Sequence, residues 1–191
     1  MDGDSGKSKK NKKQNRVNVK WILTISVIAF IMSVAMSYAS NEALAHVGNG
    51  IAFIILFAFI AVGIVFDIIG VAATAATEKR FHSMASRRVK GAKQAIWIVR
   101  NAEKVGSFCN DVVGDISGII SGATSAVIIT HLTGNMMDIK ATVFSLVITG
   151  CVAALTIGGK AVGKTLGITR SEDIVYMVGR VLAFFHFQNK K

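Results

Sequence analysis

Four stretches of this chain are apolar for long enough to cross a bilayer as helix: residues 21–39, 51–76, 112–132 and 141–159. A helix needs roughly 18–20 apolar residues to span the hydrocarbon. The third stretch is the least apolar. It belongs to NDVVGDISGIISGATSAVIITHL, which starts at Asn110 and sets Asp111 and Asp115 four residues apart among serines and glycines. Between the second and third stretches the pattern changes. Phe81, Met84 and Ala85, then Ala92, Ala95, Ile96 and Val99, recur at helical spacing, and Lys or Arg fills most positions between them. This predicts an amphipathic helical hairpin over 78–105, broken at Gly91 and lying on the membrane surface. A second amphipathic helix is predicted over 171–187. Ser171 would cap it, Glu172 and Asp173 suit its positive first turn, and Ile174, Val178, Leu182 and Phe185 form its stripe. The fold class is therefore all-α: a polytopic membrane protein of about four transmembrane helices, with the hairpin between the second and third.

Composition supports the same class. Of 191 residues 52% are hydrophobic and none is proline, and the mean hydropathy is +0.52. A soluble domain of this size uses proline in its turns and has shorter apolar runs. Charge then sets the orientation. Residues 1–20 hold seven Lys or Arg, 78–104 hold eight and 160–191 hold six, whereas the connections 40–49 and 133–140 hold only Lys140. Positive charge is retained on the cytoplasmic side, so four spans with both termini cytoplasmic, in the inner (plasma) membrane, are expected. The segment KSKKNKKQNRVNVK then reads as a disordered orientation signal within a basic tail at 1–19, ahead of a transmembrane domain at 20–187, and not as a nucleic-acid arm. The first stretch also has a signal-peptide reading through Ser37-Tyr38-Ala39, but its apolar run is long for a signal core. Cys109 and Cys151 carry no readable pairing and are expected as buried free thiols.

The candidate chemistry is a set of polar stripes. On an unbroken helix Asp111, Asp115, Gly118, Gly122 and Ser125 share one face, and Gly114, Gly118 and Gly122 form overlapping GxxxG patterns. The second stretch offers Gly63, Asp67, Gly70, Thr74 and Thr77 at matching spacing, and the fourth adds Thr149, Thr156 and Gly159. Facing stripes would bring Asp67, Asp111 and Asp115 together with hydroxyls and carbonyls, an oxygen set suited to a hard cation. A carboxylate at mid-membrane costs about 3 kcal/mol on insertion scales, so it faces water, a partner or an ion. No Lys, Arg or His falls within the predicted membrane depth to pair with these groups. For Asp67 and Asp115 the alternative is a hydrogen-bonded carboxyl that fixes helix register. For Asp111 it is a helix cap at the interface.

Catalysis finds less support. His46, His82, His131 and His186 are scattered. GGKAVGKT at 158–165 has the letters of a phosphate loop but follows an apolar helix and not a strand. No enzymatic activity and no organic cofactor are expected.

The order of elements is familiar. A span ending in small and hydroxyl residues leads to EKRFHSMASRRVKGAKQAIWIVRNAEKV, then to a span with GDISGIISGATSA, then to one running into GGKAVGKTLGITRSEDIVYMVGRVL. This resembles the transmembrane domain of the CorB/CorC/CNNM family of magnesium and cobalt transport proteins over about residues 50–187, with the first helix as an addition. The resemblance implies a homodimer and an ion cavity between helices, with Mg²⁺ efflux as the activity and Co²⁺ or Mn²⁺ as other candidates. Carried over, that cavity falls on the Asp67–Gly70 region, on Asp115 to Ser121 and on hydroxyls of the last span; with Asp111 added from the stripes, the expected metal-site residues are Asp67, Asp111, Asp115, Ser117 and Ser121. The basic pattern of the hairpin suits anionic lipid as a partner, with the bilayer as the solvent. Family members carry a phenylalanine-serine-x-serine-glutamate motif where this chain has FDIIG, and a glycine-glutamate-x-x-proline-lysine motif where it has GKAVGK. Gly70, Lys160 and Gly163 thus stand at motif positions. Either Asp67 and Asp115 replace the missing ligands, or the site has decayed. The nucleotide-binding cytoplasmic domains usual in the family are not expected here.

Overall fold

The computed structural model describes residues 19–45, 48–134 and 139–188; the basic segment before residue 19 and His46 lie outside them. The protein is all-α and polytopic. Its helices are α1 (Val19–Ala45), α2 (Asn49–Ala75), α3 (Glu78–Ser86), α4 (Ala92–Arg100), α5 (Ala102–Ser107), α6 (Asp115–Thr133), α7 (Ile139–Thr169) and α8 (Ser171–Gln188). A π-helical segment, Phe108–Gly114, joins α5 to α6 without a break. Among the described residues, four segments are long and apolar enough to cross a membrane: Val19–Glu42, Asn49–Ala75, Ala102–Thr133 and Thr142–Thr169.

Helix α2 is the hub, with α5, the π segment, α6, α7 and α8 all packed against it. Its buried positions include Ala52, Leu56, Ile60, Gly63, Asp67 and Gly70, which follow the alternating three- and four-residue step of one helix face. Helix α1 packs on α6 and the π segment instead. There Ile25, Ala29, Met32 and Met36 meet Val112, Ile116 and Ile120.

The basic surface elements gather at one end. Phe81 from α3, Ala95 and Ile98 from α4 and Val175 from α8 enclose Ala72 and Ala73 near the end of α2. At the same end the Lys104 ammonium lies 5.3 Å from the Trp21 ring centroid, linking α5 to α1. The hairpin turns through Arg88 at φ 56° and Gly91 at φ 90°. The glycine expected as the break thus supplies the left-handed backbone that a side chain resists. Thr77 donates to Glu172 at 2.7 Å, and Arg80 pairs with Glu172 at 3.3 Å and Asp173 at 2.8 Å. Asp173 first, then Glu172, pushes the Arg80 guanidinium further above its ordinary range. The two acids expected to complement the α8 dipole therefore also clamp α8 to α3.

Glu78 accepts from Arg100 Nε at 3.1 Å and lies 3.0 Å from His82 Nε2. His82 first, and Arg100 after it, hold this carboxyl below the usual carboxylate range. A carboxyl depressed in the folded state adds stability at pH above its unfolded value and loses it as pH falls through the folded one. Acidification below the ordinary carboxylate range should therefore lower the amide-exchange protection factors at the α3–α4 junction, that is, the rates relative to the intrinsic rate at each pH. In Glu78→Gln the protection factors should already be low at neutral pH and change little with acid.

Two expectations need correction. Helix α7 does not end at 159: it continues to Thr169 and carries Lys160 and Lys164 within the helix. Lysine is a good helix former, so the hydropathy break there is not a structural one. The stretch 158–165 is consequently helical throughout and presents no loop to a phosphate. Of the two free thiols only Cys109 is buried, and Cys151 lies exposed on α7. The side chains of Phe185 and His186 lie outside the described ones.

Candidate functional site: the seam between α2 and the π segment

Near the middle of α2, Gly63 has no side chain and lets the third span approach. A Cβ there would stand 3.1 Å from Ser117 Cβ and 3.7 Å from the Gly114 carbonyl oxygen. Two turns further toward the basic end, a Cβ on Gly70 would land on the Asn110 carboxamide. Asp67 lies between these contacts on the same buried face. It therefore sits opposite the stretch of the π segment between Asn110 and Gly114. Asp67 is only 4% exposed. Its Oδ2, with Asn110 Oδ1, Ser117 Oγ and Ser125 Oγ, is buried with no hydrogen-bond partner among the described residues. Buried polar atoms normally find partners, and this set includes a carboxylate at membrane depth.

The π segment helps bring these groups to the seam. A π turn adds about one residue per turn and is frequent at functional positions. From its last residue, Gly114, the buried face continues into α6 through Ser117, Ser121, Thr124 and Ile128. Ser121 donates to the Gly118 carbonyl at 2.9 Å, and Thr124 lies 3.5 Å from the Ser40 hydroxyl of α1.

A third helix closes the seam from the side. Positions 159 and 163 of α7 lie against Ile64 and Ile68 of α2, which brings Lys160 level with Gly63. The Lys160 ammonium donates to the Gly114 carbonyl at 3.4 Å. Gly63, Gly114, Ser117, Ser121, Thr156 and Lys160 line a crevice too narrow for a water-sized sphere. The expectation that no basic side chain lies at this depth rested on a span ending at 159; α7 runs on unbroken, and Lys160 stands level with Gly63 near the middle of α2.

The residues expected to form the site divide into two groups. Asp67, Ser117 and Ser121 are buried and lie along the seam. Asp111 and Asp115 are exposed, and among the described residues no three His, Cys, Asp or Glu side chains gather as a metal cluster. The two expected stripes therefore do not face each other. The seam-facing stripe of the third span is 110, 114, 117, 121 and 124, half-buried at Asn110 and buried beyond it, offset by one residue from the expected 111, 115, 118 and 122. A Cβ on Gly118 or Gly122 would meet nothing within 4 Å, so this pair does not act within the chain. Thr156 lines the crevice, but its hydroxyl donates to Val152 at 2.8 Å. Asn110 and Lys160 are the seam residues that sequence reasoning missed. Asn110 was detectable as the first member of the offset stripe.

The fold and seam define a four-span all-α membrane protein with unpartnered oxygens buried between its helices. Comparison with models of protein families, with curated proteins and with solved structures finds no match to this chain.

Proposed function

We propose that this protein moves a divalent metal cation across the membrane, Mg²⁺ ahead of Co²⁺ and Mn²⁺, in the direction of efflux. The observation that carries the reading is the row of buried, unpartnered oxygens at Asp67, Asn110 and Ser117. One carboxylate with neutral oxygens suits Mg²⁺, which keeps part of its water shell and uses one or two carboxylates per site. The resemblance to the CorB/CorC/CNNM membrane domain supports the same ion class and efflux as the direction.

The basic end, with α3, α4 and α8, faces the cytoplasm on this reading, in the inner membrane, because positive segments stay on that side. A second copy of the chain covers the open face of α6. Exposed Asp111 and Asp115 beside open Gly118 and Gly122 support this, since a carboxylate facing lipid is costly. Arg87, Arg88, Lys90 and Lys93 are exposed on the hairpin. Trp97, 58% exposed, borders an apolar hollow of about 500 Å³ with Phe66, Val105 and Met177. This combination supports anionic lipid as the partner of the hairpin.

A second reading, a non-transporting adaptor or regulatory subunit with a decayed ion site, is favoured by one observation, the lysine closing the crevice. Proteoliposomes holding a Mg²⁺ indicator separate the two. Transport predicts Mg²⁺ flux above that of protein-free vesicles, returning to that level in Asp67→Asn. Flux at the protein-free level in the parent chain leaves the adaptor.

A further inference from the structure

The Lys160 side chain is the least expected group in the membrane region. A lysine at the centre of a span costs about 2.5–3.5 kcal/mol on insertion scales, and such residues mark ion pathways or pair with oxygen groups. Lys160 is half-buried in the same span as Gly159 and Gly163, which fix it at the level of Gly63. Its one described acceptor is the Gly114 carbonyl, at 3.4 Å, longer than the 2.7–2.9 Å usual for a charge-assisted bond. Its two remaining donor positions have no described acceptor, while Ser117 Oγ lines the same crevice unpartnered. Asp67, with its unpartnered oxygen, lies one helical turn from Gly63 on the same face of α2.

We propose that the crevice at Gly114 and Ser117 is a second cation subsite, filled by the Lys160 ammonium as a tethered cation that competes with the transported ion. The inference rests on the cation-site reading of Asp67 above and adds what governs that site. An ammonium and a divalent ion one helical turn apart repel strongly where water is sparse. The ion therefore binds at Asp67 only when Lys160 swings out of the crevice, and loss of the ion draws it back. The long bond to Gly114 is what makes the lysine displaceable. Ion occupancy is thereby coupled to the position of a side chain on α7. With the lysine shortened, the crevice takes a free monovalent cation of ammonium size.

The test is calorimetric titration of Mg²⁺ into the full chain in detergent, comparing the parent with Lys160→Met, Lys160→Ala and the double variant Lys160→Met/Asp67→Asn. Methionine keeps the length and apolar stem of lysine, so the packing of α7 is retained. Lys160→Met should bind Mg²⁺ about tenfold more tightly or better, from the repulsion removed, and the double variant should not bind. In Lys160→Ala, methylammonium should weaken Mg²⁺ binding, and in the parent it should not. A parent that binds while Lys160→Met binds equally or more weakly overturns the tethered cation and leaves the Asp67 site standing. Absence of binding in both parent and Lys160→Met overturns both. Binding in Lys160→Met alone supports both.

Discussion

Asp67→Asn should make the protein more stable in Mg²⁺-free buffer and insensitive to Mg²⁺. The Asp67 carboxylate is buried with one oxygen unpartnered, and a buried group without a partner costs about 1–3 kcal/mol, more when charged. An amide of nearly the same shape removes the charge. In a chain of 191 residues, each kcal/mol moves the thermal midpoint by roughly 2–4 °C, so the variant should melt several degrees above the parent. A ligand that binds only the folded protein stabilises it by about 2.7 kcal/mol at a hundred times its Kd. Saturating Mg²⁺ should therefore raise the parent's midpoint by several degrees, while the variant's stays fixed. Stability given up for function is common at functional sites. A register-fixing aspartate, the structural alternative, predicts the opposite sign: Asp67→Asn would melt lower than the parent with or without Mg²⁺.

The largest stability loss is expected at Gly179→Val. Helix α8 crosses α4 so closely that a Cβ on Gly179 would stand 2.8 Å from the Gly91 carbonyl oxygen and 2.9 Å from the Ala95 amide nitrogen. In return, a Cβ on Gly91 would stand 2.8 Å from the backbone nitrogen and Cα of Arg180. These are backbone atoms of a helix start, and no rotamer change relieves them. The crossing must open, which exposes Val175, Ala95 and Ile98 and strains the Arg80 clamp to Glu172 and Asp173. Overpacking costs about 1–3 kcal/mol, occasionally more, and rigid atoms on both sides put this case at the upper end. A fall of roughly 6–12 °C in the midpoint follows. Gly158→Val is the control, because a Cβ there meets nothing within 4 Å, and its midpoint should stay within about 2 °C of the parent.

The four spans, the hairpin and the break at Gly91 were legible because each rests on a one-dimensional signal: apolar run length, helical period, or a glycine between two periodic segments. The face of α2 was also legible. Gly63, Asp67 and Gly70 interrupt a run of large apolar residues at regular spacing, and all three are buried against neighbours. The face of α6 was not. Residues 111, 115, 118 and 122 and residues 110, 114, 117 and 121 are both small or polar and have the same period. They differ by a rotation of about 100°. Choosing between them takes the packing of α1, whose Met32 and Met36 cover Ile116 and Ile120, and the π segment, which no hydrophobic period announces. Lys160 was misplaced because hydropathy ends a span at the first charge, whereas the helix there is held by close packing of positions 159, 163 and 167 against Ile64, Ile68 and Val71. Membrane depth is a property of helix packing, and the chain records it only indirectly.

Calorimetric titration of Mg²⁺ into the detergent-solubilised parent, beside folded Asp67→Asn, tests the central claim most directly. A cation seated on the α2 seam predicts a saturable heat in the parent that is absent from the variant. A flat titration through millimolar Mg²⁺, repeated flat with Mn²⁺ and Co²⁺, in the parent and in Lys160→Met alike, would contradict it and leave the buried oxygens as part of an adaptor's scaffold.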